Sequence, residues 1–171
     1  MTPQDITKDF EGFVPTIYED TVGKKTIGYG FNLEDKTVSK LIPPEVKLGK
    51  REITKEEADK IFNFLYSRAQ NDAKKFIGMD NFGKLKPEAR NILTDMAYNM
   101  GYNRLSAFQR LKKAMINGDM VTAAEELKNS KWFGQVGRRS RFHYDTLLNL
   151  AKASAQISFD DILSKGSIKK E

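Results

Sequence analysis

The 171-residue chain contains no cysteine and a single histidine. The missing thiols exclude a disulfide framework, a thiolate zinc site and a cysteine nucleophile. With His143 as the only imidazole, a multi-histidine metal site is excluded, and a Ser-His-Asp triad would have one candidate base. No run approaches the roughly 18 consecutive apolar residues of a membrane span. The opening stretch MTPQDITKDFEGF lacks a basic patch followed by an apolar core, so a Sec-type leader is not expected. Synthesis in the cytoplasm of the producing cell, with any action outside it following release, is the localisation expected. Acid–base chemistry, if the chain performs any, is left to carboxylates.

What is present can fold. Apolar residues make up 39% of the chain and include 11 Phe, with 6 Tyr beside them, enough for a real core. The length suits one domain, or two small lobes sharing an element. Charge is unevenly placed. Residues 1–50 hold seven basic and eight acidic side chains, whereas residues 104–141 hold nine basic and three acidic. The net +6 is therefore a property of the C-terminal half, and it points to a polyanionic partner. Nucleic acid, anionic lipid and wall polymers all satisfy that requirement.

Local patterning predicts an α+β chain. Thr2 as N-cap and Pro3 at the first helical position open a helix that stops at Gly12–Pro15. Residues 14–34, rich in Thr, Ile, Tyr and Gly with a turn at TVGKK, read as a small antiparallel sheet of two or three strands. Residues 35–52, with Pro43-Pro44, read as irregular with at most one short helix. Thr54 and Glu57 form a capping box before an apolar stripe at helical period, which predicts one long connecting helix over 54–77. Helices are expected over 87–100, 106–117, 119–130 and 138–153, with a tail over 154–171 whose last residues, SKGSIKKE, are expected to fray. The picture is a sheet-bearing lobe over about 12–53, a connecting helix and a helical lobe over 78–153, with helix 3–11 packed near the latter.

Two carboxylates in the N-terminal part suit glycoside hydrolysis. Glu11 sits at the end of the first helix, where the dipole disfavours a negative charge, and Phe10 and Phe13 flank it. Both effects raise a carboxyl pKa, as a general acid requires. Asp20 falls in a polar turn and should stay ionised, and the Thr26 hydroxyl could orient a water between the two. As a bare spacing this pattern does not separate catalytic groups from ordinary surface acids, of which the chain has many.

The stretch EGFVPTIYEDTVGKKTIGYG resembles the catalytic hairpin of the phage-type lysozymes, glycoside hydrolase family 24, and most of all their T-even bacteriophage branch. The resemblance continues through ITKEEADKIF, RNILTDMAYNMG, AFQRLKKAMINGD, AAEELKNSKWF and QVGRRSRF, in family order and over roughly residues 3–150.

The resemblance implies a lysozyme-like α+β fold and a muramidase that cleaves the β-1,4 bond between N-acetylmuramic acid and N-acetylglucosamine with inversion. It gives Glu11 the role of proton donor, Asp20 that of second carboxylate and Thr26 that of water holder. It assigns Arg139 to the support of Glu11, a role that would also lower the Glu11 pKa against the helix-end effect. It places Gly28, Gly30, Asn32, Tyr98 and Asn99 against the saccharide. No metal or organic cofactor is implied, because two carboxyls and a water suffice. The partner is bacterial peptidoglycan rather than nucleic acid or a membrane, and a monomer is expected. Phe31 stands where many members carry His, and Asn32 where many carry an apolar residue. Leu111 and Glu126 stand where members carry small or polar cleft-side residues, so no binding role is carried to them. His143 is read as structural. Two other readings stay open: a lytic transglycosylase, disfavoured by the intact Asp20–Thr26 pair, and a catalytically dead basic wall-binding module.

Overall fold

A computed structural model describes residues 1–169. The chain forms two compact units, Met1–Asn71 and Asp72–Glu171, whose boundary falls inside one long helix. Helices dominate, and the only sheet among the described residues is small and antiparallel, as the α+β reading expected.

The first unit opens with α1 (Pro3–Glu11). Thr2 and Asp5 cap it reciprocally: the Asp5 N–H donates to Thr2 Oγ1 at 3.1 Å and the Thr2 N–H to Asp5 Oδ2 at 3.0 Å. Gly12, at φ 72°, ends the helix by donating its N–H to the Lys8 carbonyl at 2.8 Å. The strands β1 (Val14–Glu19), β2 (Lys25–Gly28) and β3 (Phe31–Asn32) follow in sheet order β1-β2-β3. Tyr18 stands opposite Thr26, and Thr26 opposite Asn32, so one row crosses all three strands. An irregularity between Val14 and Tyr18 lets the hairpin curl.

The stretch expected to be irregular holds two short helices, α2 (Lys36–Leu41) and α3 (Pro44–Lys47). Asp35 caps α2 by accepting from the Thr37 and Val38 N–H groups. The long helix α4 (Lys55–Ile77) begins at the Thr54–Glu57 box, whose two bonds are 3.1 and 3.0 Å. Lys8 ties α1 to α4 through Asp59 at 3.0 Å, and its ammonium lies over the Tyr29 and Phe62 rings. Ile27, Phe31, Val38, Ile42 and Phe62 are buried around that tie.

The second unit adds α5 (Met79–Lys84), α6 (Pro87–Leu105), α7 (Gln109–Ile116), α8 (Met120–Lys128), α9 (Lys131–Val136) and α10 (Arg138–Lys169). Leu93, Met96, Leu111, Met115, Leu127 and Leu147 form its interior. The helix expected to stop at Gly101 continues beyond it: Gly101 takes φ 79°, kinks α6, and the chain resumes helical turns to Leu105. A second difference is the C-terminal end. The helix expected to end near residue 153 runs to Lys169, where a frayed tail was read; residues 170 and 171 lie outside the described residues. No helix among the described residues is long and apolar enough to cross a membrane.

Candidate active site

Glu11 is the last residue of α1, half-buried, with its side chain directed at the turn between β2 and β3. Gly30 in that turn has φ 73°, and a Cβ built there would overlap the Glu11 carboxylate. The absent side chain is what makes room for the carboxyl group. Gly28, at φ 68°, does the same for Phe31, whose fully buried ring would meet a Cβ at that position. Phe31 also contacts the Tyr29 ring edge-on at 6.2 Å. The position therefore serves packing, with no ion pair to offer.

Asp20 sits in the turn between β1 and β2. Its Oδ1 accepts from the Val22 and Lys24 N–H groups at 3.0 and 2.8 Å, while its backbone N–H donates to the Lys24 carbonyl at 2.9 Å. The turn thus holds Asp20 through one carboxylate oxygen, and neither of these donors goes to Oδ2. Thr26 is 5% exposed, and its hydroxyl donates to the Lys24 carbonyl at 2.9 Å. A hydroxyl that has spent its hydrogen can only accept from any further partner. Asn32 spends its side-chain oxygen on the Glu34 N–H at 2.9 Å, in a local turn at the end of β3.

Tyr18 joins this group without having been singled out by sequence. It lies opposite Thr26, and its phenol is raised by burial and by the negative charges of Glu11 and Asp20. One hydroxyl thus lies in the field of both carboxylates. The alternation of TIYED, which puts Tyr18 on the face of the row, was the available signal. Phe13, expected to help desolvate Glu11, is 36% exposed and packs on the Tyr29 ring at 5.2 Å.

In the second unit, Tyr98 is half-buried and Asn99 exposed on α6. The indole N–H of Trp132 on α9 donates to Asn99 Oδ1 at 2.8 Å. Leu111, which is buried, and Glu126, which is half-buried, line a cavity of about 700 Å³ with Met100, Arg104, Trp132 and Gln135. Arg138 and Arg141 are exposed, whereas Arg139 between them is 5% exposed. Its Nε and Nη2 donate to Asp95 Oδ2 and Oδ1 at 2.8 and 3.0 Å. Asp95 also meets His143 Nε2 at 2.6 Å, so the histidine read as structural is a buried partner of this pair. Asp95 and Trp132 were not singled out by sequence. A lone acid among the apolar Ile92, Leu93, Met96 and Ala97 was the clue to Asp95, since such a group needs buried donors.

The sequence profile of the phage lysozyme family matches residues 8–142. A protein of Dictyostelium discoideum described as probable T4-type lysozyme 2 is 30% identical over 149 residues, covering 80% of this chain and 88% of that protein. The pre-baseplate central spike protein Gp5 of Enterobacteria phage T4 is 28% identical over 153 residues, covering 82% of this chain but only 27% of Gp5. With a carboxylate at the end of the first helix, a short hairpin carrying the second, and a profile match over most of its length, the chain belongs to the phage lysozyme family of glycoside hydrolases.

Proposed function

We propose that the chain cleaves the β-1,4 bond between N-acetylmuramic acid and N-acetylglucosamine with inversion, using Glu11 as general acid and Asp20 with Thr26 to hold the attacking water. Family membership makes it a muramidase-type peptidoglycan hydrolase. The bond, the stereochemistry and the roles of the residues are the finer reading. The observation that carries it is the Tyr18 phenol, which feels both Glu11 and Asp20 and stands opposite Thr26. Three groups from a helix end, a turn and a strand thereby share one neighbourhood.

The hydrogen bonds support a division of labour. Thr26, as acceptor only, would take one hydrogen of the water, and Asp20 Oδ2 would take the other. The water's lone pairs are then left for the anomeric carbon while Glu11 protonates the leaving oxygen on the opposite sugar face. Asn99, with its oxygen committed to Trp132, would offer its amide hydrogens to an acyl or hydroxyl oxygen of the saccharide. Gly28, Gly30 and Asn32 of the first unit and Tyr98 of the second are the other residues proposed to meet saccharide. Residues 104–141 supply long-range attraction for an anionic wall polymer, which salt weakens.

Clearing of permeabilised bacteria by Glu11→Gln and Asp20→Asn tests the assignment. Both should lose nearly all activity, and clearing by Glu11→Gln at the wild-type rate would refute Glu11 as the acid. Early products followed by proton NMR should carry the α-anomer at the new reducing end. A dominant 1,6-anhydro product in mass spectra would instead establish a lytic transglycosylase.

A further inference from the structure

The slot that receives the Glu11 carboxyl group has two walls, the end of α1 and the Tyr29–Gly30 turn between β2 and β3. A single oxygen of Asp59 is tied to both. The Lys8 ammonium donates to Asp59 Oδ1 at 3.0 Å, and the Tyr29 hydroxyl donates to the same atom at 3.1 Å. Lys8 lies one turn before Glu11 on α1, and its carbonyl accepts the Gly12 N–H that ends the helix. Tyr29 immediately precedes Gly30, whose missing side chain leaves room for the carboxyl group. Asp59 thus links the residue one turn behind the acid to the residue beside the gap it fills.

The anchor and both of its donors are held in place. Asp59 stands near the start of α4, next to Ala58 and close to Phe62, both fully buried. The Tyr29 ring is 4% exposed and packs on Phe13, Phe31 and Phe62 at 5.2, 6.2 and 5.6 Å. The Lys8 ammonium lies 5.3 and 5.0 Å from the Tyr29 and Phe62 ring centres, which limits its own freedom. Burial, and then the Asp59 bond and charge, push the Tyr29 phenol up to about 12, so it remains a donor throughout the neutral range. Lys8 and Asp59 are themselves partly exposed, and an ion pair so placed adds little to stability. Two donors from separate elements converging on one oxygen serve geometry better than they serve stability.

We propose that Asp59 is a positioning residue for Glu11, holding the end of α1 and the Tyr29–Gly30 turn at the separation that keeps the carboxyl group aimed along its slot. The proposal rests on the reading of Glu11 as general acid. Asp59 acts through Lys8 and Tyr29 rather than on the reacting atoms. Without the anchor both walls still form but can part, so the acid keeps its chemistry and loses its aim. The effect then falls on kcat rather than on KM.

The test is steady-state hydrolysis of soluble peptidoglycan fragments by Tyr29→Phe, Asp59→Ala and the pair combined, at a temperature well below each Tm. Tyr29→Phe keeps the ring and removes the hydrogen bond. It should lower kcat by about 10-fold with little change in KM, as a shift of less than about 1 Å allows. Asp59→Ala should lower kcat at least as far, and adding Tyr29→Phe to it should change nothing more, because the phenol acts through Asp59. Lys8→Met should also lower kcat, and Lys8→Arg, which restores a donor to Asp59, should recover most of the loss. Wild-type kcat in Tyr29→Phe, effects that multiply in the pair, or a loss that appears in KM instead of kcat would each overturn the proposal. Equal kcat in Lys8→Met and Lys8→Arg would do the same. Should Asp59→Ala fail to fold, Tyr29→Phe and the two Lys8 variants decide by these same outcomes. Clearing by Glu11→Gln at the wild-type rate refutes the general-acid reading itself, whereas an inactive Glu11→Gln beside a fully active Tyr29→Phe overturns only the role of Asp59.

Discussion

Replacing Gly30 by alanine puts one methyl group where the Glu11 carboxylate lies. Two costs arise and can be measured apart. The first is backbone strain: an L-residue at φ 73° loses about 1–2 kcal/mol, which for a chain of this length lowers Tm by about 2–8 °C. The second is steric, since the methyl and the carboxyl group cannot share the space and the carboxyl must shift by about 1 Å. A displacement of that size costs about 10²-fold in the chemical step. Gly49 supplies the control. Its φ is 71°, and a Cβ there meets nothing within 4 Å. Gly49→Ala should show a similar fall in Tm with activity intact, and Gly30→Ala should show at least that fall together with the loss in kcat. Thermal denaturation and initial rates of wall-fragment hydrolysis, taken well below both Tm values, separate the two terms. Full activity in Gly30→Ala would refute the placement of the acid at Glu11. Equal activity losses at both positions would assign the effect to backbone strain.

Three further outcomes are expected. Thr26→Val removes the acceptor while keeping the shape, so kcat should fall by about 10²-fold, and Thr26→Ser should recover most of it; equal rates for the two variants would refute the water-holding role. Glu57, gripped by Arg51 at 2.8 and 2.9 Å and by the Thr54 N–H, has its carboxyl lowered to about 2. Its folded-state pKa is depressed, so its contribution to stability is full above the ordinary glutamate range and fades as pH falls towards about 2. The Tm gap between wild type and Glu57→Gln should therefore shrink on acidification, and a gap constant with pH would contradict the pairing. Trp132 is the sole tryptophan and bonds to Asn99, so its fluorescence should change on binding of an N-acetylglucosamine oligomer. That change should vanish in Asn99→Ala, and a response unaltered by the substitution would remove Asn99 from the proposed contacts.

Local chemistry made some elements legible and left others hidden. Thr2, Pro3 and the Thr54–Glu57 box announce α1 and α4 because capping is written within a few residues of sequence. The sheet is announced by turn residues and β-branched side chains. The six-residue α9 is too short for a periodic stripe, and Ser130, which accepts from the Phe133 N–H at 3.2 Å, was its one readable signal. The continuation of α10 past residue 153 is hidden because Ile157, Phe159 and Ile162 are exposed there, so burial periodicity has nothing to report. Of the proposed site, Glu11, Asp20 and Thr26 stand in a motif contiguous in sequence. The Asp95–Arg139–His143 cluster does not, because its members lie 44 and 48 residues apart and only tertiary packing pairs them.

The row that joins Tyr18, Thr26 and Asn32 across the sheet has a consequence for how the gene can change. Side chains on a strand alternate faces, so a slip of one residue would send Thr26 to the opposite face while the turn kept Asp20 behind. Codon replacements in the segment between them that keep Gly23, at φ 81°, and the Val22 and Lys24 N–H donors leave that pairing intact. The gain or loss of a single codon there breaks it, even when every functional side chain is retained. Divergence of this hairpin is therefore freer in spelling than in length.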